Sequence, residues 1–178
     1  MSTEGRRVLL LAVLACVLGG YTYVTAPEKK TLATEAGKKA ERTVLDFVPE
    51  RVTHIDLLFD GQRLVCQRTP AGWQQSPDGT PVPAEAIDDF LTNLRKLVNL
   101  GEVEGDAAQL PEYGLQPPAS RVVLQVEGEG TRTLTLGKHN PVQTSLYAQV
   151  NESPQVVLVG SVVLWDMRKL VTAAKNAG

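Results

Sequence analysis

The chain is poor in the residues that do chemistry. Its 178 positions include two cysteines and two histidines. Cys16 lies inside an apolar run and Cys66 in an alternating, strand-like segment, so the two cannot reasonably pair and no disulfide framework exists. Neither His54 nor His139 has another His or Cys at metal-ligand spacing, which excludes the common zinc patterns. Gly128-x-Gly130 is the one glycine pair that resembles a phosphate loop. It joins two strand-like runs, opens no helix and lacks a third glycine or a lysine, so it reads as a turn. Ser161 stands in no Gly-x-Ser-x-Gly context and reads as the cap of a following helix. Asp88 and Asp89 are adjacent and diverge on a helix. Glu102, Glu104 and Asp106 alternate, but no calcium-loop pattern surrounds them. The sequence thus assigns no catalytic residue, no cofactor and no metal ligand, and the expectation is a protein that is not an enzyme.

Charge narrows the partners. Residues 1–43 carry seven Lys/Arg against four Asp/Glu, and residues 44–178 carry eleven against sixteen. The acidic C-terminal part lacks the positive footprint that nucleic acid requires. The basic N-terminal part suits contact with anionic lipid headgroups.

What the chain does have is a run of twenty uncharged residues, 8–27, reading VLLLAVLACVLGGYTYVTAP. As a helix it would cover about 30 Å, the thickness of a bilayer's hydrocarbon core. A cleaved signal fits less well, because Pro27 would follow the cut after Val24-Thr25-Ala26. Val13-Leu14-Ala15-Cys16 is a poor lipoprotein signal, since apolar residues continue past the cysteine. Tyr21 and Tyr23 suit the headgroup region. Ala12, Ala15 and Gly19 share one side of the expected helix, where small residues allow another transmembrane helix to approach. Arg6 and Arg7 place the N-terminus in the cytoplasm. Lys29, Lys30, Lys38, Lys39 and Arg42 argue the reverse, but long domains cross largely regardless of charge.

Residues 28–47 read as a charged linker, and residues 48–178 as one soluble α+β domain with halves at about 48–100 and 119–178. Ile55, Leu57 and Phe59 alternate with polar neighbours, which puts His54 on the outer side of a strand. Asp60-Gly61 supplies a hairpin turn. Leu64 and Cys66 share one side of the return strand, and Trp73 begins a third. Ile87, Phe90, Leu91, Leu94, Leu97 and Val98 recur at helical spacing. A second meander follows: Val122, Leu124 and Val126, then Thr131 to Leu136, Leu146 to Val150 and Gln155 to Val159. The loop Gly137 to Pro141 carries His139. Val163, Met167, Leu170, Val171 and Ala174 stripe a closing helix. The order predicts antiparallel meanders each closed by a helix, a pseudo-duplicated βββα/ββββα arrangement, in one shared sheet or two.

Trp73 before a proline-rich lead into a helix, Tyr113-Gly114-Leu115 followed by Pro117, Leu136-Gly137 at a strand end, and Tyr147 in the next strand make the region from about 50 to 165 resemble the bacterial DUF4340 family. The resemblance implies an N-terminal membrane anchor and an extracytoplasmic domain, at the bacterial inner membrane with the C-terminal domain in the periplasm. It also implies, for some members, an auxiliary role in gliding-type ABC transport.

The expected function is a non-catalytic, single-pass accessory subunit. Its partners are the lipid bilayer and the subunits of an integral membrane complex, either a transporter or an energy-converting assembly. An auxiliary part in ABC-type export is the alternative. An enzyme or ligand-binding domain would need titratable groups converging in a pocket, and no such spacing is present. Trp73, Tyr113, Leu115 and Trp165 are the candidate docking residues, although both tryptophans also fit burial, and Tyr113 to Pro118 reads either as a rigid connector between the halves or as a protruding recognition loop.

Overall fold

Hydrophobic alternation and helical stripes fold here into two helices on one antiparallel sheet. The computed structural model describes residues 43–103 and 109–178. Its elements, after a 3-10 turn at Pro49–Arg51, are β1 (Val52–Phe59), β2 (Gln62–Thr69), β3 (Gly72–Gln75), α1 (Ala84–Arg95), β4 (Gly101–Val103), β5 (Ser120–Val126), β6 (Gly130–His139), β7 (Ser145–Val150), β8 (Val156–Gly160) and α2 (Val162–Asn176). The expected membrane segment 8–27, with Ala12, Ala15, Cys16 and Gly19, lies outside the described residues, as do most of the linker, Glu104 and Asp106. Among the described residues no helix is long and apolar enough to cross a membrane.

The two meanders share one eight-stranded sheet, ordered β3-β2-β1-β5-β6-β7-β8-β4 and antiparallel throughout. The halves meet where β1 pairs with β5, Ile55 opposite Leu124 and Leu57 opposite Val122. Asp60 and Gly61 both adopt positive φ, 49° and 73°, which is the geometry a two-residue hairpin turn needs to match the strand twist. The three-residue β4 was missed by sequence reasoning. It crosses to the far edge and pairs with β8, Glu102 opposite Val157.

Alternation sorts each strand into two faces. Ile55, Leu57, Phe59, Leu64, Cys66, Val122, Leu124, Leu134, Leu136, Leu146, Ala148, Val157 and Val159 form one apolar cluster with Ile87, Phe90, Leu91 and Leu94 of α1 and Val163, Met167, Leu170, Val171 and Ala174 of α2. Both helices therefore cover the same face. Leu45 and Phe47, placed at the end of the linker by the sequence, are core residues. Thr43 bridges Val98, so the packed region begins earlier than residue 48. The helices are tied by Lys169 Nζ to Asp89 at 2.7 Å and by Asn93 Nδ2 donating to Asp166 Oδ1 at 3.0 Å.

Three local expectations need correction. α1 stops at Arg95, so Leu97 and Val98 follow the helix rather than extend its stripe. His139 ends β6 instead of lying in a loop, because a register shift after Leu136 lets the strand continue. Ser161 does not cap α2: its backbone is already helical, and its hydroxyl is buried without a partner.

Candidate docking surfaces

The outer face of the sheet is not uniform. Over β6 and β7 it is covered by the connector that precedes β5. The Tyr113 ring stacks on Tyr147 with centroids 4.6 Å apart, and the Tyr113 carbonyl accepts from the Lys138 amide at 2.9 Å. Gly137 lies directly beneath that carbonyl, with no room for a Cβ, and a Cβ on Gly114 (φ +70°) would sit 3.0 Å from the Lys138 amide nitrogen. Tyr113-Gly114, Gly137 and Tyr147, which are scattered in the sequence, thus form one clamp. Glycine is required in it because two backbones touch. Leu115 is buried. Beside the clamp, Glu112, Tyr113, Lys138, His139, Pro141 and Tyr147 line a cavity of about 360 Å³.

Over β1, β2 and β5 no described residue covers the same face. Leu58, Val65 and Val123 are only half-buried, and Arg63 and Arg121 flank Leu58 in register from either side. Asp56, Leu58, Arg63, Arg121 and Val123 line a cleft of about 270 Å³. Arg63 grips Asp56 with two bonds, Nε to Oδ1 at 3.0 Å and Nη2 to Oδ2 at 2.7 Å. The side-chain hydrogen bonds from Arg63, with its charge, hold the Asp56 carboxyl below the usual range despite partial desolvation, and Asp56 raises Arg63 in turn. Arg121 reaches Glu152 at 2.8 Å through Nη2, while its Nε is buried without a partner.

A third surface lies at the C-terminal end of α1. Leu100, Val162 and Trp165 are 55%, 62% and 61% exposed. Asn93, Lys96, Leu97, Val98, Leu100, Gly160, Val162 and Asp166 line a cavity of about 290 Å³ there. Lys169 Nζ stands 5.9 Å above the Trp165 ring.

The four sequence-based docking candidates therefore separate. Trp73 is 5% exposed in the core, under Arg68 at 5.0 Å, and Leu115 is buried, so neither presents a surface. Tyr113 is half-buried in the clamp. Trp165 is exposed, because it falls opposite the stripe of Val163, Met167 and Leu170. The open patch around Leu58 and Val123 was missed by sequence reasoning. Its signal was the partly apolar outer alternation of β1, β2 and β5, a pattern that a solvated strand also shows.

The groups weighed for chemistry stay apart. His54 lies on the outer face of β1 and His139 at the end of β6. Asp89 is engaged by Lys169, and Glu102 on β4 accepts weakly from Gln155 at 3.4 Å. Among the described residues no group of three or more His, Cys, Asp or Glu is placed to hold a metal. Cys66 is buried and free, and desolvation pushes its thiol up to about 11.

No curated protein and no solved structure matches the chain. A family model does, over residues 73–167, more than half of the chain, from Trp73 in β3 into α2. The match takes in every residue of the clamp but neither β1 nor β2. The chain belongs to the family described as a domain of unknown function, DUF4340.

Proposed function

We propose that this chain is a non-catalytic, single-pass membrane-anchored accessory subunit whose domain docks onto a larger integral membrane complex. Segment 8–27 is the anchor, and Ala12, Ala15 and Gly19 pack it against a neighbouring transmembrane helix. The N-terminus is cytoplasmic, and the domain stands in the periplasm of a bacterial inner membrane. Tethering raises the local concentration of the domain at its partner, so a modest contact suffices.

The observation that carries the docking reading is the uneven cover of the sheet. One face is buried by two helices. Among the described residues the other is capped only over β6 and β7, leaving Leu58, Val65 and Val123 open around Arg63 and Arg121. Arginine is among the residues enriched at protein interfaces, and two arginines flank this patch. The two meanders, each followed by a helix and joined through antiparallel β1 and β5, also support the reading of an internal pseudo-duplication.

Purification of the tagged full chain in mild detergent, with mass spectrometry of what accompanies it, tests the proposal. Integral membrane subunits co-purify with the wild type and are lost with Val123→Glu. A chain that emerges alone and monodisperse contradicts the reading. An ATPase and a permease among the partners would select an auxiliary role in ABC-type export.

A further inference from the structure

The patch formed by Leu100, Val162 and Trp165 has a different address from the open sheet face. Val162 and Trp165 are three residues apart on α2 and so share a side of the helix. Leu100 and Val162 line the same cavity with Leu97 and Val98. The chain also enters the domain here. Thr43 forms a bridge with Val98, and the Val44 amide donates to the Leu97 carbonyl at 3.0 Å. The described chain therefore begins, at Thr43, beside Val98 of this cavity's lining.

Only residues 28–42 separate this point from the end of the apolar run at Pro27. Fully extended, that stretch spans at most about 50 Å, and as a helix about 22 Å. It carries Lys29, Lys30, Lys38, Lys39 and Arg42 against Glu28, Glu35 and Glu41, a net positive charge that suits anionic headgroups. Of the acids near Lys169, Asp89 is paired with it, Asp166 is buried and accepts from Asn93, and Glu85 stands nearby. Lys96 stands on the cavity rim and Lys169 over the indole.

We propose that Leu100, Val162 and Trp165 form a membrane-contact site, seated in the headgroup layer of the bilayer that holds segment 8–27. The proposal rests on the anchor reading above. Three side chains are far too few for a stable protein interface, which needs roughly 800 Å² from each partner. They suffice for a tethered domain, because the anchor supplies the concentration and the patch supplies only orientation. Tryptophan with basic neighbours matches the composition of the membrane interface. Seated this way, the domain is held in a fixed attitude to the bilayer.

The test uses the full chain reconstituted into phosphatidylcholine–phosphatidylglycerol vesicles, with and without lipids brominated high on the acyl chains. Trp73 is buried in the core, so the emission difference between wild type and Trp165→Phe isolates Trp165. The expected result is a blue-shifted Trp165 signal that loses most of its intensity to brominated lipid. It should also resist quenching by aqueous iodide. Flotation and alkaline carbonate extraction are measured on the same samples. A protein that floats and resists extraction, yet shows a solvent-like, unquenched Trp165, overturns the membrane-contact site and leaves the anchor standing. A protein that does not float overturns both. If Trp165→Phe disturbs the fold, a bimane label on Val162→Cys, in a chain carrying Cys16→Ser and with Cys66 buried, reads the same quenching with the same two outcomes.

Discussion

The inner and outer faces of the sheet are built from the same strands and differ in what they meet. On β5, Val122 and Leu124 point into the helix-covered core, while Arg121 and Val123 face outward into an open cleft. The inner face behaves as a close-packed interior, where every side chain has neighbours on all sides. The outer face is split: a backbone clamp seals it over β6 and β7, and nothing among the described residues seals it over β1, β2 and β5. Stability is therefore concentrated inside, and capacity for contact outside. Four changes test that division.

Leu124→Ala is expected to cost most, about 2–5 kcal/mol, because it opens a cavity between the sheet and the helices. Denaturant unfolding of the detergent-solubilised chain measures it. Gly137→Ala comes next, at about 1–3 kcal/mol, since its methyl group collides with the Tyr113 carbonyl and the clamp must lift. Loss of the near-ultraviolet dichroism of the Tyr113–Tyr147 stack should accompany it.

Asp56→Asn breaks a cross-strand pair on the open face and is expected to cost roughly 0.2–1 kcal/mol, the range of exposed pairs. Its pH dependence has a definite sign. The folded carboxyl titrates below its unfolded value, so the pair's contribution is complete above the ordinary aspartate range. It is lost as pH falls through that range into the lowered folded value. The difference between wild type and variant should therefore be full at neutral pH and vanish in strong acid. Val123→Glu sets a carboxylate directly opposite Asp56 and is expected to cost no more than that pair, up to about 1 kcal/mol, while abolishing co-purification of the membrane partners. An equal loss of stability from Val123→Glu and Leu124→Ala would erase the distinction between the faces.

Much of the inner face was legible in the sequence because a strand or helix buried on one side repeats with a fixed period. Ile55-x-Leu57-x-Phe59 and Ile87, Phe90, Leu91 and Leu94 needed nothing beyond that rule. Asp60-Gly61 was legible because few residues tolerate the turn. The single sheet was not, because the junction of β1 with β5 is a pairing across some seventy residues with no local signature. β4 was hidden because three residues carry no periodicity. The clamp was half legible: its residues stood out one by one, but only the fold brings Gly137 under Tyr113. Trp165 was readable in principle, since it sits outside the stripe of its own helix. The open patch was not, because half-exposed valines on a strand look the same whether water or a partner covers them.

The account stands on the open sheet face being a place of contact between this domain and an integral membrane complex. Site-specific photocrosslinking in intact cells measures that directly, with the crosslinker at position 123 and, as the inward control, at position 124. The prediction is a discrete adduct with an integral membrane protein from position 123 and none from position 124. Full-length protein in the membrane fraction that gives no adduct from position 123 would contradict it.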